Sequence, residues 1–119
     1  MKIVYIAGPY RGATYMDIER NIREAEAQAV RLWDAGFGVL CPHLNTCRFE
    51  CLSTAEPEAY LEADNRLLLA CDYVFALSRW RESAGAKAEI ALAKKNDIPV
   101  FFDEESLQMW HNAEVGGGE

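Results

Sequence analysis

An open parallel α/β sheet with helices on both faces, flavodoxin- or Rossmann-like, is the architecture this sequence predicts, and three observations predict it. Short β-rich runs at 2–7, 37–41, 72–77 and 98–102 recur every 25 to 35 residues. The segments between them carry apolar residues at helical spacing. The runs are also continuously apolar rather than alternating, which marks strands covered on both faces, as in parallel sheets. Right-handed crossovers then favour the strand order 2-1-3-4, with room for a fifth edge element.

The first run, Lys2 to Ala7, ends at Gly8-Pro9. A helix follows with Ile18, Ile22, Ala25, Ala29 and Leu32 on one stripe. Thr14 or Asp17 is placed to cap its start, and Gly36 supplies a left-handed stop after Ala35. The second strand, 37–41, is closed by Pro42. Residues 43–56 read as a loop ending in a capping box, Ser53-Thr54-Ala55-Glu56, before a helix bearing Tyr60, Leu61, Asp64, Leu67, Leu68 and Cys71. After the third strand, Ser83 opens a helix holding Glu89, Ile90 and Ala93 that ends near Lys94-Lys95-Asn96. The fourth strand precedes a short acidic helix around Glu104 to His111. This predicts one domain over 1–112, with 113–119 a flexible tail.

With 119 residues, half of them hydrophobic, the chain suffices for one buried core. The net charge of −7 argues against nucleic acid as a partner, because phosphate-backbone binding needs many Lys and Arg contacts. A single small phosphorylated ligand needs only two or three donors. No apolar run approaches the roughly 18 residues of a membrane span, and the apolar start is too short for a signal peptide. A cytoplasmic protein without membrane partners is expected. Cys41, His43, Cys47 and Cys51 hint at a metal site, but their spacing matches no usual zinc pattern. The cysteines, Cys71 included, read as reduced thiols.

In open parallel sheets, ligands sit beyond the carboxyl ends of the strands, so the loops 8–13, 42–47 and 78–85 are expected to converge. The first, Gly8-Pro9-Tyr10-Arg11-Gly12, offers two glycines for close backbone approach and a guanidinium able to grip phosphate; a plain turn with a solvated Arg is the alternative. It is neither a dinucleotide fingerprint nor a Walker loop. Ser83, at a helix start, either caps that helix or helps form an anion site with the free backbone N–H groups, and the two roles are compatible. Glu89 lies among the small residues of Ser83-Ala84-Gly85-Ala86-Lys87-Ala88-Glu89-Ile90-Ala91-Leu92-Ala93. A lone helical Glu is ordinarily solvated, but small neighbours let a helix pack tightly and turn a carboxyl toward a cleft. Asp64, four residues after Tyr60 and three before Leu67, sits on the apolar face of its helix. Two carboxyls facing one cleft are what glycosyl chemistry requires.

Val4-Tyr5-Ile6-Ala7-Gly8-Pro9-Tyr10-Arg11-Gly12, Asp64, Ser83-Ala84-Gly85 and Ala88-Glu89-Ile90-Ala91-Leu92-Ala93 together resemble the nucleoside 2-deoxyribosyltransferase superfamily. The likeness spans about residues 3–102 and is closest to the branch of (2′-deoxy)nucleoside 5′-monophosphate N-glycosidases and CMP hydrolases. It implies Glu89 as nucleophile, Asp64 as proton donor or sugar-orienting group, and Tyr5, at the end of strand one, as hydrogen-bond partner of Glu89. It also implies Arg11 on the substrate's phosphate. Ser83 matches the serine of the monophosphate branch, where free-nucleoside transferases more often carry Asp. Gly8, Tyr10, Gly12 and Gly85 would line the substrate site. His43 and Asn45, on the loop after strand two, would face the base or serve as polar filler at the cleft edge. Lys87 departs from the pattern, standing where a small residue is usual, and residues 103–119 match no segment lent to a neighbouring pocket.

The sequence thus predicts hydrolysis of the N-glycosidic bond of a (deoxy)ribonucleoside 5′-monophosphate by a retaining mechanism. An oxocarbenium-like transition state asks only for nearby negative charge and proton handling, so no metal or organic cofactor is expected. Base exchange between deoxynucleosides, a non-catalytic sensor of a nucleotide or ADP-ribose-like ligand, and an interaction protein with decayed chemistry are the competing readings. The superfamily's shared pockets imply a homodimer or higher oligomer, held partly through the helix bearing Tyr60 to Leu69. Light scattering at high micromolar concentration should report at least a dimer; a monomer refutes this expectation.

Overall fold

The computed structural model describes residues 1–47 and 49–117. Strands β1 (Ile3–Ala7), β2 (Gly38–Leu40), β3 (Tyr73–Ala76) and β4 (Val100–Phe101) form one sheet in the order β2-β1-β3-β4, every pair parallel. This is the predicted fold class and strand order. β1 is central and is paired on both sides: Tyr5 lies opposite Leu40 on β2 and Val74 on β3. The side chain of Asp72, just before β3, accepts from the Ile3 N–H at 2.8 Å and ties the two strand starts together.

Successive strand residues point to opposite faces, and each face of the sheet has its own core. Val4, Ile6, Tyr73, Phe75 and Phe101 pack with Ala25, Ala29 and Leu32 of α1 (Tyr15–Asp34) and Leu107 of α5 (Glu104–Gly117). Tyr5, Ala7, Val74 and Ala76 pack with Leu68 of α3 (Pro57–Leu69) and with Ile90 and Ala93 of α4 (Ala84–Lys95). Because β1 is covered on both sides, its run is uniformly apolar, and a tyrosine within it must find a polar partner above the sheet.

Thr14 is the N-cap of α1, its hydroxyl accepting from the Asp17 N–H at 3.2 Å while Asp17 accepts from the Thr14 N–H at 3.1 Å. Gly36 follows the helix with φ of 99°, the left-handed geometry for which glycine is suited. The capping box expected at Ser53 does not form. Started there, the helix would carry Pro57 in its interior, where a missing N–H and a ring clash break the ladder. Instead Pro57 is the first helical residue, the position its fixed φ suits, and Glu56 precedes it without a side-chain cap. Ser53 accepts from the Ala55 N–H at 3.0 Å, a local turn. The predicted loop after strand two contains a further short helix, α2 (Pro42–Asn45).

The last helix runs to Gly117 rather than stopping near His111. Glu114 holds its end against the sheet, accepting from the Tyr73 hydroxyl and from the Trp110 indole N–H at 2.9 Å. The tail expected from 113 is therefore helical through Gly117; residues 118 and 119 lie outside the described residues. Among the described residues no helix is long and apolar enough to cross a membrane.

Candidate active site

Tyr5 occupies the middle of β1 rather than its end, and its ring projects to the face that α3 and α4 cover. Its hydroxyl donates to Oε2 of Glu89. Glu89 reaches it because α4 lies close on the sheet through Ala86, Ile90 and Ala93, and position 89 shares that inward side. Asp64 arrives from α3, one turn before the buried Leu68. Both carboxyls are partly buried, and each responds. Burial, with a smaller contribution from the Asp64 charge, pushes Glu89 from 4.5 up to about 7 against the opposing hydrogen bond from Tyr5. Asp64 is raised by burial. The Tyr5 phenol is raised far above its ordinary range by burial, then by the charge and hydrogen bond of Glu89, then by Asp64. The phenol therefore stays protonated and donates. Tyr5, Glu89 and Asp64 form one electrostatic unit.

The surrounding loops are shaped by close approach. A Cβ on Gly8 would stand 2.4 Å from Cδ1 and 2.9 Å from Cβ of Leu77, so only glycine lets the first loop lie on the end of β3. A Cβ on Gly12 would stand 2.3 Å from Cβ of Asp17, in the first turn of α1. Arg11, at the outside of this loop, is exposed, and Tyr10 is half-buried. On the opposite loop Ser83 is the N-cap of α4, its hydroxyl accepting from the Ala86 N–H at 3.0 Å. A Cβ on Gly85 would meet only the Ser83 hydroxyl, at 3.7 Å, so the space above the helix start is open.

Other residues singled out in the sequence lie elsewhere. His43, expected at the cleft edge, is 4% exposed. Burial lowers its pKa, and the neutral ring holds the first loop from beneath, with Nε2 3.0 Å from the Pro9 carbonyl. Asn45 is exposed at the end of α2 and lines a shallow groove along the β2 edge with Trp33, Leu40, Leu44 and Leu67. Lys87 is exposed, and two residues along a helix it points well away from Glu89. The four cysteines are free thiols; Cys41 Sγ stands 4.0 Å from His43 Nδ1, and burial raises the Cys41 thiol to about 11.

Two residues absent from the sequence reading bridge the loops. Asn21, 2% exposed, donates from Nδ2 to the carbonyls of Tyr10 (3.0 Å) and Arg11 (3.2 Å). Its Oδ1 accepts from Nη2 of Arg79. The available signal was a polar residue breaking into the apolar stripe of α1, between Ile18 and Ala25. Nothing in the sequence separates Arg79 from Arg81 two places later.

The family described as Domain of unknown function (DUF4406) matches residues 2–102. This chain belongs to the DUF4406 family. No curated protein matches it. Among solved structures, this DUF4406 protein is similar in fold to a 2-deoxyribosyltransferase from Bacillus psychrosaccharolyticus. That similarity has a TM-score of 0.63 at 17% identity, over 82% of this chain and 69% of the other. It is similar also to a conserved protein from Enterococcus faecalis V583, with a TM-score of 0.61 at 21% identity, over 96% of this chain and 75% of the other. At these identities the likeness is one of fold.

A carboxyl whose folded pKa exceeds its unfolded value binds its proton more tightly in the folded protein. The contribution of Glu89 is therefore fully present below about pH 4.5 and is lost as pH rises through about 7. Glu89→Gln keeps an acceptor for Tyr5 and cannot ionise. Thermal midpoints from pH 4 to 9 should coincide with wild type at the acid end and exceed it above pH 7. The gap there should correspond to about 1–3 kcal/mol, allowing for partial solvent contact. A difference independent of pH would show that Glu89 is not held in a raised state.

Proposed function

We propose that this protein hydrolyses the N-glycosidic bond of a nucleoside 5′-monophosphate with retention at C1′, and that Glu89 is the nucleophile. The observation that carries this reading is the buried Glu89 carboxyl, fixed by the Tyr5 hydroxyl and lying in the field of Asp64. A structural ion pair would set a cation against Glu89; here the partners are a phenol and a second acid, an arrangement that strains the carboxyl rather than satisfying it. The fold shared with a 2-deoxyribosyltransferase supports the same chemistry.

In the first step a Glu89 oxygen forms a bond to C1′ as the C1′–N bond breaks. The bond's electron pair leaves with the base, whose nitrogen takes the proton of Asp64, a group already biased toward its acid form. Tyr5 holds Glu89 in its attacking rotamer. In the second step Asp64, now ionised, accepts a proton from water as the water oxygen attacks C1′ and releases Glu89. Arg11 and the N-terminus of α4 at Ser83 and Gly85 would take the phosphate, and Tyr10, Gly8 and Gly12 would flank the sugar. Ser83 precedes Glu89 by six residues, about 9 Å along a helix, a span suited to a ribose and its 5′-phosphate. The same glycosyl ester could instead be intercepted by a second base, the reading that the fold of the 2-deoxyribosyltransferase favours.

Incubation with a panel of nucleosides and their 5′-monophosphates, followed by chromatography, should show free base from a monophosphate; a second base added to the mixture separates hydrolysis from exchange. Glu89→Gln should abolish release while leaving binding by calorimetry largely intact. Arg11→Ala should raise KM about ten- to a hundredfold for the monophosphate, the loss of about 1.5–3 kcal/mol from a charge-assisted contact, and far less for the nucleoside. No base from any substrate, or full activity in Glu89→Gln, sinks the reading.

Attack needs Glu89 ionised and Asp64 protonated together, so kcat/KM should follow a bell-shaped pH profile with one limb at about 7. Removing the Asp64 charge removes a contribution that raises Glu89, so Asp64→Asn should lower the Glu89 midpoint while also removing the proton donor. A carbon-13 titration of the Glu89 carboxyl reads the same shift without turnover. A Glu89 midpoint that stays put would mean the two carboxyls do not interact.

A further inference from the structure

The Arg79 guanidinium, from the loop after β3, is already engaged. Its Nε and Nη2 donate to Oε2 of Glu24 at 3.1 and 2.7 Å, and its Nη1 donates to Glu82 at 3.2 Å. With its side chain 22% exposed and two carboxylates against one cation, it has no charge left over for a ligand. What Nη2 also does is hold the buried carbonyl of Asn21. That contact fixes the amide's orientation: with Oδ1 committed to a donor, Nδ2 must face the two backbone carbonyls of the first loop. In a trans peptide the N–H points opposite to the preceding carbonyl. Turning the Tyr10 and Arg11 carbonyls inward onto Asn21 therefore turns the N–H groups of Arg11 and Gly12 outward, alongside the Arg11 side chain.

We infer that Asn21 and Arg79 are positioning residues: a buried link that sets the loop bearing Arg11 against the loop bearing Ser83, so that the two halves of the anion subsite act as one. The inference rests on the proposed 5′-phosphate substrate for its kinetic consequence, though not for its structural one. Three separate chain segments meet at Asn21: α1, the turn after β1 and the turn after β3. A buried amide with both ends committed is satisfied in one arrangement only, so loss of either partner frees both loops. Neither residue touches the substrate, and both act through the loops they join.

The test uses Arg79→Gln, Asn21→Ala and the double variant in the full chain. KM and kcat are read for a nucleoside 5′-monophosphate and its matching nucleoside, and backbone order parameters from nitrogen-15 relaxation are read at Arg11 and Gly12 without ligand. Each single change should raise the monophosphate KM about tenfold, well beyond its effect on the nucleoside, with kcat changed less. The double variant should match the larger single effect within about twofold, because both act through one link. Arg79→Gln should lower the backbone order parameters at Arg11 and Gly12 although it lies on another loop. Equal KM changes for both substrates, or additive effects, would overturn the link to the phosphate, and unchanged order parameters would overturn the link itself. Arg79 lies partly at the surface, so its variant remains informative should Asn21→Ala fail to fold. If the wild type releases no base, the proposed function fails, while the order parameters alone still decide whether the loops are joined.

Discussion

A carboxyl group withdrawn from water must either keep a proton or find a donor, and Glu89 is held at the balance between the two. Its donor is Tyr5, a residue of the central strand, which is buried on both faces because strands flank it on either side and helices cover it above and below. The phenol sits deep because β1 is central, and the helix carrying Glu89 can descend to it because its inward positions are small. Ala86 and Ala93 leave the backbone of α4 near the sheet, and a bulkier pair would lift the helix and break the contact. Asp64 enters the same space from α3, so two helices of one layer deliver the two acids, and the opposite layer is left to carry stability through α1 and α5.

The strand order explains why a crevice opens where it does. From β1 the chain leaves to one side of the sheet through α1, and from β3 it leaves to the other through α4. The loops following these two neighbouring strands therefore part, which is the topological switch point of an open parallel sheet. A gap of this kind is useful only if its edges are fixed relative to each other. Gly8 against Leu77, His43 beneath Pro9, and Asn21 between two carbonyls and Arg79 supply that fixing, with backbone polar groups as the principal objects held.

The features most legible in the sequence were those set by local chemistry or by simple periodicity. The strand pattern, the Thr14 cap and the Gly36 stop each follow from a rule acting within a few residues, and the order of the sheet follows from the handedness of its crossovers. Glu89 and Asp64 were legible as acids on apolar helix faces, and the structure brings both to one face of the sheet. The Ser53 box was misread because a favourable local motif was weighed without the proline four places later. The burial of His43 was not legible, because a polar residue on a loop looks solvent-facing until the fold wraps another loop over it. Arg79 and Asn21 meet 58 positions apart, and no local pattern encodes such a pairing. The full length of α5 was hidden for the same reason: Glu114 is held by Tyr73, 41 positions away, while the glycines beside it suggest a loose end.

The charge of the molecule sharpens what the cleft must do. The chain carries a net charge of −7, and its candidate catalytic pair sets two acids within each other's field. A phosphorylated substrate entering such a field is repelled unless donors meet its anion away from the carboxyls. The start of α4 is such a place: its outward N–H groups and partial positive charge sit about six residues, or 9 Å of helix, before Glu89. The helix thus presents opposite electrostatic character at two points along its length, favouring an anion at its first turn and disfavouring one at its second. In the proposed reaction the attacking carboxylate would be destabilised by burial, so forming a neutral ester would relieve a cost already present in the folded protein. Under that proposal, the burial that makes Glu89 expensive to ionise would also favour its glycosylation.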